Sequence, residues 1–557
     1  MMKIGPDCEK HRHAAGIPST RCTNSSGQDS PWRRFDVLVM GCAALLWLIL
    51  RSGPKPTRLS YPCQQSAFGL AAGVFGAPFV AAVVHGRARL KPHRRAVGAV
   101  AMLALVAAAA TLFPSLQNSD SLRPLQITLP PDYQPEIFSV PHARGLAAGR
   151  FGGVDDLATL MGTSGVKWYR SAVEDLRSGP NGLIDPDDVV LIKINAQWGE
   201  RGGTNTDVLR GLIRVVADHP DGFTGEVIVA DNGQGYGNLN RDLNNAEDTG
   251  QSVLDVVNDV QALGWSISAQ LWDPLRTSPV GEYAEGDSRN GYVVNNTLDA
   301  ETQIKVSYPK FQSAFGTYVS YKHGIWSPQN GSYDPSKLVV INVPVLKTHR
   351  IYGITAGVKN HMGVVTTGIP TNSHNAVALG GLGSVLAEVR LPDLTVLDCI
   401  WVMARPGLGP EALYDQASRR DQLVASADPV ALDMWAVKNI LIPQIEANGY
   451  TNTQYAAQDP DNPNSVFRGY LDRSLAELLR AGIPASNDPA AVQLHVWVGD
   501  YDADGDVDEV DTGGLVQCLT GPGTITPPSC QAFDSDEDGD VDLFDASRFQ
   551  RVFTGPQ

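Results

Sequence analysis

No two of the seven cysteines (8, 22, 42, 63, 399, 518 and 530) are spaced CxxC. That argues against a zinc ribbon and against a cysteine-ligated iron–sulfur cluster. No HxH or HExxH pair occurs among the seven histidines after residue 114, so no pattern names a metal centre in the middle of the chain. The glycine-rich stretch DNGQGYG (231–237) lacks a following Lys-Ser/Thr and lacks the GxGxxG spacing, which excludes the common nucleotide loops. Acidic residues are scarce at the start: residues 1–119 hold 14 Lys/Arg against 4 Asp/Glu. Basic residues are scarce at the end: residues 498–557 hold 2 against 14. The net charge of −16 therefore divides into a basic start, an acidic middle and an acidic tail. No nucleic-acid partner is expected of such a chain. With 557 residues it is long enough for two or three folded units.

Three apolar runs lie early, at 35–50, 67–84 and 96–113. The second and third are free of charge over 18 residues, which suits helices crossing ~30 Å of hydrocarbon. The first carries Asp36 at its edge. The runs start too late and are too many for a cleaved signal peptide; the alternative is a set of buried helices in an α-rich domain. Basic residues flanking them number six in the arm 1–34, three in the first loop and five in the second. The excess of Lys and Arg on one side places the N-terminus in the cytoplasm and residues after 114 in the periplasm or at the cell surface. The expected organisation is a basic arm (1–34), a three-helix membrane anchor (35–113), a Pro-rich linker (114–135), an α/β domain (136–497) and an acidic module (498–557).

The middle alternates β-branched runs with amphipathic ones. DVVLIKINA (188–196), GEVIVADN (225–232), KLVVINVPVL (337–346) and DLTVLDCIW (393–401) read as strands. TDVLRGLIRVVADH (206–219), SVLDVVNDVQALG (252–264) and DPVALDMWAVKNIL (428–441) read as helices, the last with Asp428 as N-cap and Pro429 in its first turn. This order predicts an α/β core with a largely parallel sheet covered on both faces.

In such sheets function gathers beyond the C-terminal strand ends. Lys193, Asn195 and Gln197 follow the first strand; Asp231 and Asn232 end the second. The third runs into VPVLKTHRIYGITAGVKNHMG, with Lys347, His349, Lys359, Asn360 and His361. Cationic side chains there suit a phosphate or carboxylate, and a desolvated Lys suits a base or nucleophile. His349 or His361 could move protons or bind metal. The plain alternative is that these residues cap loops. The Gly-rich stretch 367–384, with His374, is a ligand loop or a simple crossover.

The tail holds two aspartate stripes. EF-hand calcium loops place oxygen ligands at positions 1, 3, 5, 7, 9 and 12 and Gly at 6. Asp500, Asp502, Asp504, Gly505, Asp506, Asp508 and Asp511 fill that pattern. Asp534, Asp536, Asp538, Gly539, Asp540, Asp542 and Asp545 fill it again, 34 residues later. Two calcium ions are the expected cofactors, with folding that depends on them. Leu515, Val516, Leu519, Phe549, Val552 and Phe553 are placed to pack two short helices together. Cys518 and Cys530 are either paired or free.

Two resemblances follow. VVLIKINAQW, TNTDVLRGLIRVV, VIVADNGQG, INVPVLKTHRIYGITAGVKNHMGVV, LPDLTVLDCIWVM and ASADPVALDMWAV together resemble the domain-of-unknown-function 362 family over roughly 185–445. The resemblance implies an α/β domain whose activity is not established. It points to Lys193, Asn195, Lys347, His349, Lys359, Asn360, Asp398 and Asp428. Many relatives carry ferredoxin-like modules with clustered Cys, which this chain lacks. The tail resembles a type I dockerin, which implies a cohesin-like or other surface protein as partner. Its linking segment CLTGPGTITPPSC departs from that pattern, and a stabilising or sorting module is the alternative. Two functions are therefore expected: a membrane-anchored domain binding or acting on a small anionic substrate, or a non-enzymatic scaffold that docks through its tail.

Overall fold

The computed structural model describes residues 129–130, 132–141, 143, 151–497, 499, 507–527, 530, 533–534 and 539–553. The three apolar runs lie outside these residues, and so do Asp500, Asp502, Asp504, Asp506, Asp536 and Asp538. Among the described residues no helix is long and apolar enough to cross a membrane.

A ten-stranded sheet forms the centre. Its strands are β1 (Glu136–Val140), β2 (Val189–Lys193), β3 (Glu226–Asp231), β4 (Ile267–Leu271), β5 (Leu338–Asn342), β6 (Val345–His349), β7 (Gly353–Thr355), β8 (Leu394–Met403), β9 (Ser418–Ser426) and β10 (Gln493–Val496). They lie in the order β10-β1-β9-β8-β5-β2-β3-β4, with β6 beside β8 and β7 beside β6. The run β8-β5-β2-β3-β4 is parallel throughout; β9 joins β8 and β1 antiparallel. The mixed α/β core is thus largely parallel, as the alternation of elements indicates.

Why the strands read as continuous apolar runs is plain from their two faces. Val190, Ile192, Val227, Val229, Val339 and Ile341 enter one core; Val189, Leu191, Ile228, Ala230, Leu338 and Val340 enter another. A strand buried on both sides has no polar alternation to show. On the first face lie helices α1 (Gly152–Thr163), α2 (Thr206–Ala217) and α3 (Val253–Gln261). Val208, Leu209, Leu212, Ile213 and Val216 of α2 are fully buried there, each contributing about 1.5–3 kcal/mol. Part of the opposite face is covered by a second sheet, antiparallel and five-stranded, built from residues 291–334. Tyr292, Tyr308, Phe311, Val319 and Tyr321 from it share the core of β2, β3 and β5.

The reading of 337–346 as one strand needs correction. Pro344 has no N–H to give to a ladder, and the chain breaks there into β5 and β6. The long β8 pairs with both: Ile341 and Asn342 of β5 face its start, Val345 and Lys347 of β6 its later residues. β6 then turns back through β7. Helix α4 (Gly381–Glu388) begins within the Gly-rich stretch, and α5 (Pro429–Ala436) opens on Asp428, whose Oδ1 accepts from Val430 and Ala431 N–H at 2.9 and 3.0 Å. A longer helix, α6 (Val466–Arg480), packs against α4.

In the tail, α7 (Glu509–Cys518) and α8 (Leu543–Val552) start alike. Asp508 accepts from Val510 N–H at 2.7 Å, and Asp511 accepts from Asp508 N–H at 2.8 Å. Asp542 accepts from Phe544 N–H at 2.7 Å, and Asp545 from Asp542 N–H at 2.8 Å. The sequence duplication is reproduced as local geometry. Leu515 and Phe549 are buried, but Val516, Leu519 and Phe553 are exposed, so the apolar helix contact is narrower than the sequence suggests. Cys518 and Cys530 form a disulfide. It closes 12 residues of sequence separation, so its replacement by two serines is expected to lower tail stability by about 2–3 kcal/mol, measured as an earlier unfolding midpoint that reductant reproduces in the unaltered chain.

Candidate functional site

The chain runs outward through β2, β3 and β4, then returns to the other side of β2 as β5. The strand order reverses between β2 and β5, and a crevice opens beyond the carboxyl ends of strands at such a point. A cavity of about 280 Å³ lies here, lined among others by Lys193, Asn195, Asp231, His349, Thr355, Lys359, Asn360 and His374.

Lys193 is the last residue of β2 and Asp231 the last of β3, so the parallel register brings them together. Their ion pair measures 2.8 Å between Nζ and Oδ1, and both side chains are almost wholly buried. Lys193 also donates to Ile194 O at 2.8 Å and Asn360 O at 2.7 Å. Asp231 Oδ2 accepts from Ala196 N–H at 2.7 Å. Burial disfavours both charges, pushing the lysine down and the aspartate up, while each partner opposes the shift in the other. Gly363 closes over this pair: a Cβ there would overlap both Lys193 Nζ and Asp231 Oδ1.

Lys347 and His349 alternate on β6 with Thr348, so they share one side of the strand. Lys347 is fully buried, and its amine donates to Gly202 O rather than lining the cavity. Burial and the nearby Lys359 pull it down to about 7. His349 Nδ1 accepts from Ile351 and Tyr352 N–H at 3.1 and 3.2 Å. Its proton therefore sits on Nε2. Burial, Lys359 and Lys347 hold the ring far below the usual imidazole range, so it is neutral.

Lys359 and Asn360 open a short 3₁₀ turn, Lys359–Gly363. The Asn360 side chain donates to Asn342 Oδ1 at 2.8 Å. Asp433, in α5, holds the entry to the turn: its two oxygens accept from Gly357 and Val358 N–H at 2.6 and 3.0 Å. Lys359 is 8% exposed, and its amine lies 5.2 Å from the Tyr352 ring centroid. Among the described residues it has no carboxylate partner and no hydrogen bond. Burial, then Lys193, pulls it down to about 7. Asn195 Oδ1 and Thr355 Oγ1 are buried without a hydrogen-bond partner among the described residues, and both residues line the same cavity.

The six sequence candidates therefore divide. Lys193, Asn195, His349, Lys359 and Asn360 line one cavity, and Lys347 stands behind it. His361 does not line it: its Nδ1 lies 3.1 Å from Gly357 O, and burial with the Lys193 charge pulls it down to about 4. His374 does, at the rim, 3.1 Å from the Tyr352 hydroxyl. Asp398 is a backbone clamp outside the cavity, accepting from Asn205 N–H at 2.9 Å and Ile400 N–H at 3.1 Å. Asp428 is the helix cap already described. Thr355 and Asp433 had no sequence signal of their own; the register that sets Thr355 opposite Lys347 would have found the first.

In the tail, Asp540, Asp542 and Asp545 bring carboxylate oxygens within 4.8 Å of one another. All-oxygen donors of this kind fit a hard cation.

Residues 337–438 match the model of a family described as Domain of unknown function (DUF362). The match spans β5 to the end of α5 and holds Lys347, His349, Lys359, Asn360 and Asp433, while Lys193, Asn195 and Asp231 lie before it. No curated protein and no solved structure matches the chain.

Gly363→Ala is expected to break the buried ion pair and cost about 3–5 kcal/mol, read as a lower urea midpoint; an unchanged midpoint would show that the turn is not held by this contact.

Proposed function

We propose that the α/β domain binds a small anionic molecule in the cavity beyond β2, β3 and β5. One observation carries this reading: Lys359 is a buried amine facing that cavity with no counter-ion among the described residues. Lys193 is already neutralised by Asp231, so it adds no net charge. An anion would supply the missing partner. The His349 Nε2–H, the Thr355 hydroxyl and the Asn195 amide add neutral hydrogen-bonding groups around it. The cavity is at the small end of ligand sites (~300–1,000 Å³), which favours a metabolite-sized acid over a polymer.

The tail completes the proposal. The two aspartate stripes bind two calcium ions, and the repeated helix starts at Asp508 and Asp542 support a duplicated loop. The early apolar runs anchor the chain, with the N-terminus in the cytoplasm and the α/β domain outside, where calcium is plentiful. The disulfide between Cys518 and Cys530 suits an oxidising compartment. A second reading is a scaffold that docks a cohesin-like or other surface protein through the tail. The exposed Val516, Leu519 and Phe553 favour it.

Two measurements test this. Calorimetric titration of the full chain with sulfate and with lactate, whose charges are constant in this range, reads the pH dependence. An anion prefers charged Lys359, which is protonated below about 7. Affinity is expected to be full there and to fall up to about ten-fold per pH unit above it, with proton uptake on binding. Lys359→Met should abolish both; a flat profile would remove Lys359 from the site. Elemental analysis of the full chain is expected to return about two calcium ions, and one after Asp534→Ala with Asp536→Ala. No calcium in either sample would return the stripes to a plain acidic tail.

A further inference from the structure

Three lysines are buried around the cavity, and their nitrogens differ in chemical availability. Lys193 gives its protons to the Asp231 carboxylate and to two carbonyls, Ile194 O and Asn360 O. Every acceptor around it favours the ammonium form, and its nitrogen has no free direction. Lys347 donates to Gly202 O and does not line the cavity. Lys359 lines the cavity, and among the described residues no acceptor holds its nitrogen. The Tyr352 ring at 5.2 Å accommodates the amine without binding its lone pair. Such an amine is the chemical requirement for attack on a carbonyl.

The polar groups around Lys359 describe the rest of the ligand. His349 Nε2–H and the Thr355 hydroxyl are neutral donors, suited to a carboxylate. Asn195 Oδ1 is an acceptor without a donor among the described residues. We propose that Lys359 forms an imine with a small 2-oxo acid, its carboxylate held by His349 and Thr355 and its carbonyl carbon presented to the lysine nitrogen. The inference rests on the anion-binding reading of the cavity and names its ligand class.

The chemistry balances without a further reactant. The neutral nitrogen forms a bond to the carbonyl carbon, and the π electrons move to oxygen. A proton passes from nitrogen to that oxygen, giving a carbinolamine whose hydroxyl donates to Asn195 Oδ1. The carbon–oxygen bond then breaks, and the oxygen leaves as water carrying both protons of the former amine. A carbon–nitrogen double bond remains, and no oxidant or reductant is consumed. Burial and the Lys193 charge keep part of the Lys359 population neutral near pH 7, which the first step needs.

The test is reductive trapping. The full chain is incubated with pyruvate and sodium cyanoborohydride near neutral pH, then analysed by intact mass and peptide mapping. The expected result is one adduct per chain at Lys359, absent when lactate replaces pyruvate and lost in Lys359→Arg, which keeps the positive charge. Peptide mapping of the unaltered chain keeps the test decisive even where that variant does not fold. No adduct, or labelling at Lys359 no greater than at surface lysines such as Lys438, overturns the proposal. Lactate and sulfate calorimetry on the same sample separates the two readings. Binding without an adduct sinks the imine and leaves the anion site; no binding and no adduct sinks both.

Discussion

A lysine and an aspartate buried together at the ends of neighbouring strands set the position of everything else in the crevice. Each charge taken out of water costs several kcal/mol before any partner is counted. Lys193 recovers that cost through a carboxylate and two carbonyls, and Asp231 through the lysine and a backbone amide. The partners come from three places: β2, β3 and the turn at Asn360. Sheet register supplies two of them; the third is brought in by a segment more than a hundred residues further on. Because Lys193 holds Asn360 O, it fixes the residue beside Lys359. Because Gly363 must lie against the pair, the far end of the same turn is fixed too. The pair is thus a clamp on the turn that carries the reactive-looking lysine, and it uses up its own charge in doing so.

Among the described residues the one acid that lines the cavity, Asp231, is taken by Lys193, and three other buried acids of the domain are spent on backbone groups. Asp398, Asp428 and Asp433 are all buried, and burial raises each, Asp433 to about 7 and the other two to about 6. All three accept from backbone N–H groups and form no ion pair with the cavity lysines. These carboxylates hold loops and helix starts. Asp433 is the instructive case: it fastens Gly357 and Val358, the two residues before Lys359, and so places the lysine without contacting its amine. A protein that needed only to bury this lysine quietly would aim an acid at it.

Much of this was legible in the sequence because it is local. The strand ends at Lys193 and Asp231 and the helix cap at Asp428 each follow from a pattern a few residues long. What escaped was made by contacts across the chain. Gly363 carries no local signal, since its need arises from two side chains on other strands. Asp433 lies in a helix that reads as apolar, and its partners precede it by more than seventy residues. The five-stranded sheet at 291–334 escaped for a different reason: its strands are three to six residues long, too short for a period to be counted. Lys347 was legible as a buried cation but not as one turned away, because the direction of its amine is decided by Gly202 O in another loop.

The tail is joined to the body by packing as well as by sequence. Trp497, just after β10, is buried in the same cluster as Phe138 of β1, Val507 and Phe549. His495 stacks on Phe138 with ring centroids 4.9 Å apart, and α8 touches α1. Part of the apolar surface of the aspartate-rich module, Val507 and Phe549 among it, is therefore spent on the α/β domain, in the manner of an internal interface and not of a free tether. Repulsion among the clustered carboxylates opposes that packing, and a bound cation would relieve it. The described tail residues and the sheet edge at β1 and β10 then share one free-energy balance: whatever holds Val507, Phe549 and α8 in place also stabilises the edge of the central sheet on which the helices of the first face rest.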